Sequence, residues 1–183
     1  MKRILHFSYP LSNYITTLIF VLFAALFFDF SVDKNSLEYA SKWKDYKSKE
    51  GKVSIQFPAE YTESDASEEE RISKTVTCTM KDKTYMLNFT VHSTKIQNVK
   101  EALALSLATF SKELKADVKS EGEFNVKKNK GIDCVMYLPE FGMYGFYRVL
   151  VVEKYHYQIL ILSANEKKDA DDDKFFKSFK LMK

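Results

Sequence analysis

The stretch Asn98-Val-Lys-Glu-Ala-Leu-Ala-Leu-Ser-Leu-Ala-Thr-Phe-Ser-Lys-Glu-Leu-Lys-Ala-Asp-Val118 decides the fold, because its pattern differs from everything around it. Large apolar side chains recur along it at steps of three or four residues: Val99, Leu103, Leu107, Phe110, Leu114 and Val118. This spacing is typical of one face of an α-helix. Asn98 is a suitable N-cap, and Glu101 three residues later can complete a capping box. The sequence therefore predicts an amphipathic helix over 98–118 that lies on a sheet.

Segments that alternate between apolar and polar side chains come before this helix. They cover residues 51–58, 72–80 and 85–92, and short polar links separate them. Alternation with a period of two is typical of half-buried strands. Because the links are short, the sequence predicts an antiparallel meander.

Further predicted strands follow the helix, at 121–126, 132–138, 145–152 and 157–162. The last two are apolar on both faces, so we expect them at the centre of the sheet with both sides covered. The helix at 98–118 would cover one side.

The tail, residues 169–181, is predicted to cover the other side of the sheet. It begins with aspartates and continues with lysines, which suits a helix dipole, and Phe175, Phe176 and Phe179 give it an apolar stripe.

The amino-terminal part of the chain looks like a targeting segment. Lys2 and Arg3 precede an uncharged run over 13–28, as in a signal peptide or a signal anchor. A signal peptidase needs small residues at the first and third positions before the cut, and a cut after Ala25 places Phe23 at the third position. We therefore favour an uncleaved anchor, with a cleaved signal peptide as the alternative.

These features divide the chain into three parts. The sequence predicts a signal anchor or signal peptide over 1–30, a polar Lys-rich linker over 31–50, and a single globular α+β domain over 51–183. In fold class this is an antiparallel sheet of about six strands flanked by helices, an α/β/α sandwich preceded by an N-terminal hydrophobic helix.

The composition argues against several classes of function. The net charge is only +3, and its 28 basic and 25 acidic residues are interspersed, so no nucleic-acid partner is expected. Cys78 and Cys134 form no CxxC motif, and we interpret them as two buried thiols, with a disulfide as the alternative.

Metal-ligating and catalytic patterns are also missing. The three histidines, His6, His92 and His156, have no ligand spacing; we place His92 on a polar strand face and His156 in a turn. The Asp-x-Asp-x-Asp pattern over 169–173 lacks the glycine and glutamate that a calcium loop needs. The sequence therefore predicts no metal, no cofactor and no enzymatic activity.

Two motifs and their arrangement resemble a known family. The strand Gly51-Lys-Val-Ser-Ile-Gln-Phe-Pro58, the ending Phe175-Phe-Lys-Ser-Phe-Lys-Leu181 and the single helix between two meanders resemble the PsbP-like family over residues 51–181. That family includes extrinsic subunits of photosystem II and small exported bacterial proteins. The resemblance implies an antiparallel sheet between helices and a docking or assembly role without a shared catalytic motif.

One segment has the composition of a contact surface. In Pro139-Glu-Phe-Gly-Met-Tyr-Gly-Phe-Tyr147, two glycines permit a tight turn and the large apolar residues Phe141, Met143 and Tyr144 lie near its tip. Exposed aromatic and Met side chains mark partner surfaces. The other interpretation is a hairpin whose aromatic residues fold back onto the sheet.

The sequence thus predicts a non-catalytic binding or assembly module, with Phe141, Met143 and Tyr144 binding a protein partner of unknown identity. The domain would be extracytoplasmic, anchored in a membrane through the N-terminal helix, or secreted or periplasmic if that segment is cleaved. The alternative function is a small-molecule carrier or sensor with a pocket between sheet and helix.

Overall fold

The computed structural model describes residues 43–183, which form ten strands and two helices. In chain order these are β1 (Lys44–Ser48), β2 (Val53–Phe57), β3 (Thr62–Asp65), β4 (Arg71–Thr79), β5 (Lys83–His92), α1 (Val99–Glu113), β6 (Asp117–Val126), β7 (Asn129–Leu138), β8 (Met143–Val152), β9 (Tyr155–Ser163), α2 (Ala170–Ser178) and β10 (Lys180–Leu181).

Seven strands form the main sheet, in the order β3-β4-β5-β9-β8-β7-β6, and every neighbouring pair is antiparallel. The doubly apolar strands β8 and β9 lie at the middle of this order, as predicted. Their side chains fill two separate cores. Phe146 and Leu150 belong to one core, whereas Tyr147 and Val149 belong to the other.

A second sheet of three strands, in the order β1-β2-β10, lies against one face of the main sheet. Strand β2 is thus not part of the predicted first meander, which is instead β3-β4-β5. Strand β1 comes from the segment assigned to the linker, and it pairs with β2 along its whole length. Tyr46 and Ser48 of β1 are buried, so these two inward side chains fix the strand despite the lysines around them.

Helix α1 covers the opposite face. Asn98 caps it, with its side chain accepting from the Glu101 amide, as the sequence predicts. The helix is shorter than expected, because Leu114 ends it and Lys115 turns the backbone into the left-handed region at φ +47°. Val118 therefore lies in β6, where it is 46% exposed, and not on the apolar helix face.

Helix α2 packs beside the small sheet, and Phe175, Phe176 and Phe179 enter the core there, as predicted for the tail. The acidic start of the helix is a capping box formed by Asp169 and Asp172. The two cysteines lie in different cores, Cys78 on the α2 side and Cys134 on the α1 side, and both are buried free thiols.

The predicted fold class is wrong in its architecture. Instead of one sheet of about six strands in an α/β/α sandwich, the described chain has two sheets, and one face of the main sheet is covered by a sheet together with a helix. Short strands account for the difference: β3 is wholly exposed and β10 has two residues, so neither carries an apolar pattern.

The predicted N-terminal hydrophobic helix and most of the linker lie outside the described residues. Within 43–183, neither helix has the length and apolar character needed to cross a membrane.

Candidate functional site

The β7–β8 hairpin tip carries the three residues that the sequence singles out. The turn closes through hydrogen bonds from the Phe141 amide to the Leu138 carbonyl and from the Gly142 amide to the Pro139 carbonyl, at 3.1 and 3.4 Å. Gly142 has φ +62°, and a side chain added there would meet no atom within 4 Å. The tip therefore projects into open space.

The three side chains are all partly exposed, but they point to different sides of the hairpin. Phe141 and Met143 pack against the core beneath α1. Tyr144 packs against the other core, with its ring centroid 5.0 Å from that of Tyr137. Each of the two aromatic rings packs against the sheet and stays partly exposed. The partner-binding role stays a prediction.

A salt bridge ties the tip to the end of α1. Lys115 Nζ lies 2.5 Å from Glu140 Oε1, next to Phe141 in the turn. Both groups are well exposed, so the bridge adds little stability, but it restricts where the turn can lie.

A hydrogen bond between Ser106 and His156 joins α1 to the sheet. The Ser106 hydroxyl lies 2.9 Å from His156 Nε2, and Ser106 is 3% exposed. His156 belongs to β9, so its predicted position in a turn is wrong; the turn is the Glu153–Lys154 pair before it. Burial, followed by the nearby His92, lowers the pKa of His156 to about 4.

A hydrogen-bonded Ser–His pair is also the arrangement that activates a serine nucleophile. Here the serine hydroxyl is buried between helix and sheet, where a substrate has no access. A histidine with a pKa near 4 is also a weak base at neutral pH. The geometry therefore favours a structural contact that positions α1.

A second buried polar cluster holds α2. Lys83 Nζ donates to both oxygens of Asp172 at 2.9 and 3.0 Å and to Asp169 at 2.5 Å, and the Tyr85 hydroxyl donates to Asp172 at 2.9 Å. Burial alone would lower the pKa of Lys83, but the hydrogen bonds to Asp169 and Asp172 outweigh it and raise that pKa. This cluster lies at the same end of the sheet as the hairpin tip, since Lys83 pairs with Ser163 and Ser163 pairs with Tyr144.

Sequence reasoning missed both clusters. Lys83 and Asp172 are 89 residues apart, and the Asp-x-Asp-x-Asp pattern drew attention to Asp169, Asp171 and Asp173 rather than to buried Asp172. The available signal was Asp172 itself, at the third position after the cap Asp169, where a capping box places an acid.

Neither a metal centre nor a central cavity emerges in the described chain. Among residues 43–183, no three His, Cys, Asp or Glu side chains are arranged to hold a metal ion. The space between α1 and the sheet is filled, with the Phe110 and Tyr147 rings stacked at 4.4 Å. Two shallow surface grooves of about 290 and 330 Å³ lie instead near β2 and α2, beside Gln56 and Lys177.

Comparison with known proteins finds similarity in structure. No protein-family model matches the sequence, and no curated protein is significantly similar to it. The solution structure of cyanobacterial PsbP (CyanoP) from Synechocystis sp. PCC 6803 superposes with a TM-score of 0.54 at 10% identity, covering 79% of this chain and 95% of that one. At this identity the likeness establishes shared fold. The resemblance to the PsbP-like family is thus confirmed at the level of the fold.

Proposed function

We propose that this chain is a non-catalytic binding or assembly module whose β7–β8 hairpin tip contacts a protein partner. The observation that carries the proposal is the tip itself. It holds Phe141, Met143 and Tyr144 partly exposed on a turn that projects from the sheet.

The tip is mounted rigidly, which favours recognition. Strands β7 and β8 pair continuously from Ile132 to Leu138, up to the turn, and the exposed salt bridge between Lys115 and Glu140 lies beside it. A preorganised surface loses less conformational entropy on binding than a flexible loop does.

The side chains that could take part in catalysis are engaged in contacts within the fold. Ser106 bonds His156, and Lys83 bonds Asp172, so each of these contacts anchors a helix. The likeness to the cyanobacterial PsbP structure is consistent with a binding role, as the PsbP-like resemblance implies.

The proposal also includes the location of the domain. We infer from the uncharged run over 13–28 that the domain is delivered outside the cytoplasm and either stays tethered to a membrane or is released after cleavage.

Site-specific cross-linking in the cells that produce the chain tests the contact. A photoreactive phenylalanine analogue at position 141 should yield one cross-linked partner, and the same analogue at Lys128, at the other end of the sheet, should not. Phe141→Ala and Tyr144→Ala should each weaken binding of that partner about tenfold, as for residues at the centre of an interface.

The matched control is Lys128→Ala, which shortens an exposed side chain at the other end of the sheet and should leave binding unchanged. If the tip variants bind normally, or lose binding only because they unfold, the hairpin tip is not the contact surface.

The alternative, a small-molecule carrier, gains no comparable support. It calls for a pocket between sheet and helix, and the stacked Phe110 and Tyr147 rings fill that position.

A further inference from the structure

Five lysines gather at the end of the molecule opposite the hairpin tip. Lys49 and Lys52 come from the β1–β2 turn, Lys127 and Lys128 form the β6–β7 turn, and Lys154 belongs to the β8–β9 turn. We call this set the lysine end.

Direct contacts bring the three turns together. The Met182 amide donates to the Lys52 carbonyl at 2.8 Å, and Lys127 Nζ donates to the Leu181 carbonyl at 3.2 Å, so two of the turns meet at the C-terminal strand. The ammonium groups of Lys52 and Lys154 both approach the Tyr155 ring, at 5.8 and 5.9 Å. Lysines that are distant in sequence therefore form one surface.

The backbone of these turns is strained in the same way. Within residues 43–183, four residues other than glycine have positive φ, and three of them, Lys52, Lys127 and Glu153, lie in these turns at φ +48°, +56° and +56°. Such positions normally carry Gly, Asn or Asp, which adopt this conformation more easily. Two of the three positions carry lysine instead, which places a long cationic side chain where the backbone favours a small residue.

The charges of the lysine end are not neutralised within the fold. In the described part of the chain, no carboxylate lies within 4 Å of any of the five ammonium groups, whereas Lys74, Lys83, Lys115 and Lys130 each have an acidic partner. These turns also carry two acidic side chains. Glu153 lies next to Lys154, and Glu50 of the β1–β2 turn bonds Lys74.

The shape of this end indicates what it contacts. Its lysines sit on the tips of separate turns, and the two shallow grooves described above are lined by other side chains. Lysines carried on separate turns suit a flat, fluid array of anionic phosphates, where each nearby lysine contributes attraction.

The rest of the chain is compatible with such a surface. The uncharged run ends at Phe28, and residues 29–42 could extend about 50 Å, far longer than the five-residue strand β1 that separates Trp43 from the lysine end. A chain held by that run can therefore lay its lysine end on the same membrane.

We propose that the lysine end docks on an anionic lipid surface through the phosphates of the headgroups. This surface is distinct from the hairpin tip, and different variants test the two.

The test measures how the full-length protein distributes onto vesicles of phosphatidylcholine and onto vesicles of phosphatidylcholine mixed equally with phosphatidylglycerol. The ratio of the two affinities isolates the electrostatic contribution to vesicle binding, because the apolar run contributes to both affinities. Lys52→Gly and Lys127→Gly should each lower this ratio about fivefold, and the double variant should lower it by about the product of the two effects.

Lys115→Gly is the matched control. It also removes a lysine with positive φ, at +47°, but at the other end of the molecule, so the ratio should not change. Added salt should lower the ratio for the natural sequence and have less effect on the double variant.

An unchanged ratio in the double variant would overturn the proposal, as would equal loss in Lys115→Gly. Binding of the natural sequence to polyglutamate that competes with the vesicles and shows the same lysine dependence would assign the surface to an acidic protein instead. Competition by inorganic phosphate alone would reduce it to general anion binding, which also contradicts docking on lipid.

Discussion

The two ends of the main sheet differ in how their charges are paired and in which residues occupy their turns. At the tip end, two lysines have acidic partners: Lys83 contacts Asp169 and Asp172, and Lys115 contacts Glu140. The β7–β8 turn there has a glycine at its positive-φ position. At the lysine end, comparable turn positions carry Lys52, Lys127 and Glu153, and the lysines have no acidic partner within the described chain.

This difference shows where the sequence follows local rules and where it departs from them. Paired charges and a glycine turn are what stability alone would select. Clustered like charges on strained turns lower stability and are retained where they have a use. We therefore interpret the paired charges at the tip end as serving the fold and the clustered lysines at the other end as serving a contact.

The largest expected effect concerns the paired end. Asp172→Ala leaves the buried ammonium of Lys83 without its main partner, and breaking a buried ion pair in this way costs about 3–5 kcal/mol. Urea denaturation should show this loss in the free energy of unfolding. Asp171→Ala removes an exposed acid from the same helical turn and should cost far less; equal losses would contradict a special role for Asp172.

Mild acid should lower the free energy of unfolding, because the hydrogen bond that joins α1 to the sheet involves a neutral His156. The pKa of His156 is about 4 in the folded state and about 6.5 when unfolded, so between these values the unfolded chain binds the extra proton. Stability is therefore full above pH 6.5 and falls by about 3 kcal/mol as the pH drops through 4. The lowered pKa of His92, which burial and Arg71 cause, acts in the same direction.

His156→Gln separates this effect from the titration of carboxylates, since glutamine can still bond Ser106 but does not titrate. The difference in unfolding free energy between the natural protein and the variant should change across pH 4–6.5. A difference that is flat with pH would show that His156 does not titrate as its surroundings imply.

Relief of the strained turns should give a smaller effect of opposite sign. Lys127→Gly and Lys52→Gly should each stabilise the fold by about 1 kcal/mol, because glycine adopts positive φ without a clash and one of the clustered like charges is removed. Thermal unfolding measures the gain. A loss of stability on both substitutions would mean that the lysine stems pack on the fold and are not held there at a cost.

The smallest effect is expected at the tip. Glu140→Gln removes the exposed salt bridge with Lys115, and such bridges contribute less than about 1 kcal/mol. Chemical denaturation should show little change. A loss of unfolding free energy as large as that of Asp172→Ala would show that the exposed ion pair stabilises this end as much as the buried one does.

Periodic segments with strong caps could be predicted from the sequence. Helix α1 was anticipated from its Asn98 cap and apolar spacing, the central strands β8 and β9 from their doubly apolar faces, and α2 from its acidic start and three phenylalanines. In each case the information is local, because a buried face imposes its period on neighbouring residues.

Features that depend on distant contacts could not be predicted. Strand β1 has two buried side chains among lysines, and it forms only because β2 lies beside it. The extension of the predicted helix to Val118 failed because the left-handed Lys115 reverses the chain three residues earlier. The lysine end draws on three turns, so no single stretch of sequence carries its pattern. The candidate tip was found from composition, but the separation of Tyr144 from Met143 follows from the alternating faces of β8.

Strands β7 and β8 have ten residues each and run from one end of the sheet to the other. At about 3.4 Å per residue, they separate the lysine end from the aromatic turn by roughly 30 Å, so docking of that end on headgroup phosphates would hold the turn at this height. A partner engaged by that turn would have to reach the same height above the bilayer, which favours a bulky domain over a bare transmembrane segment.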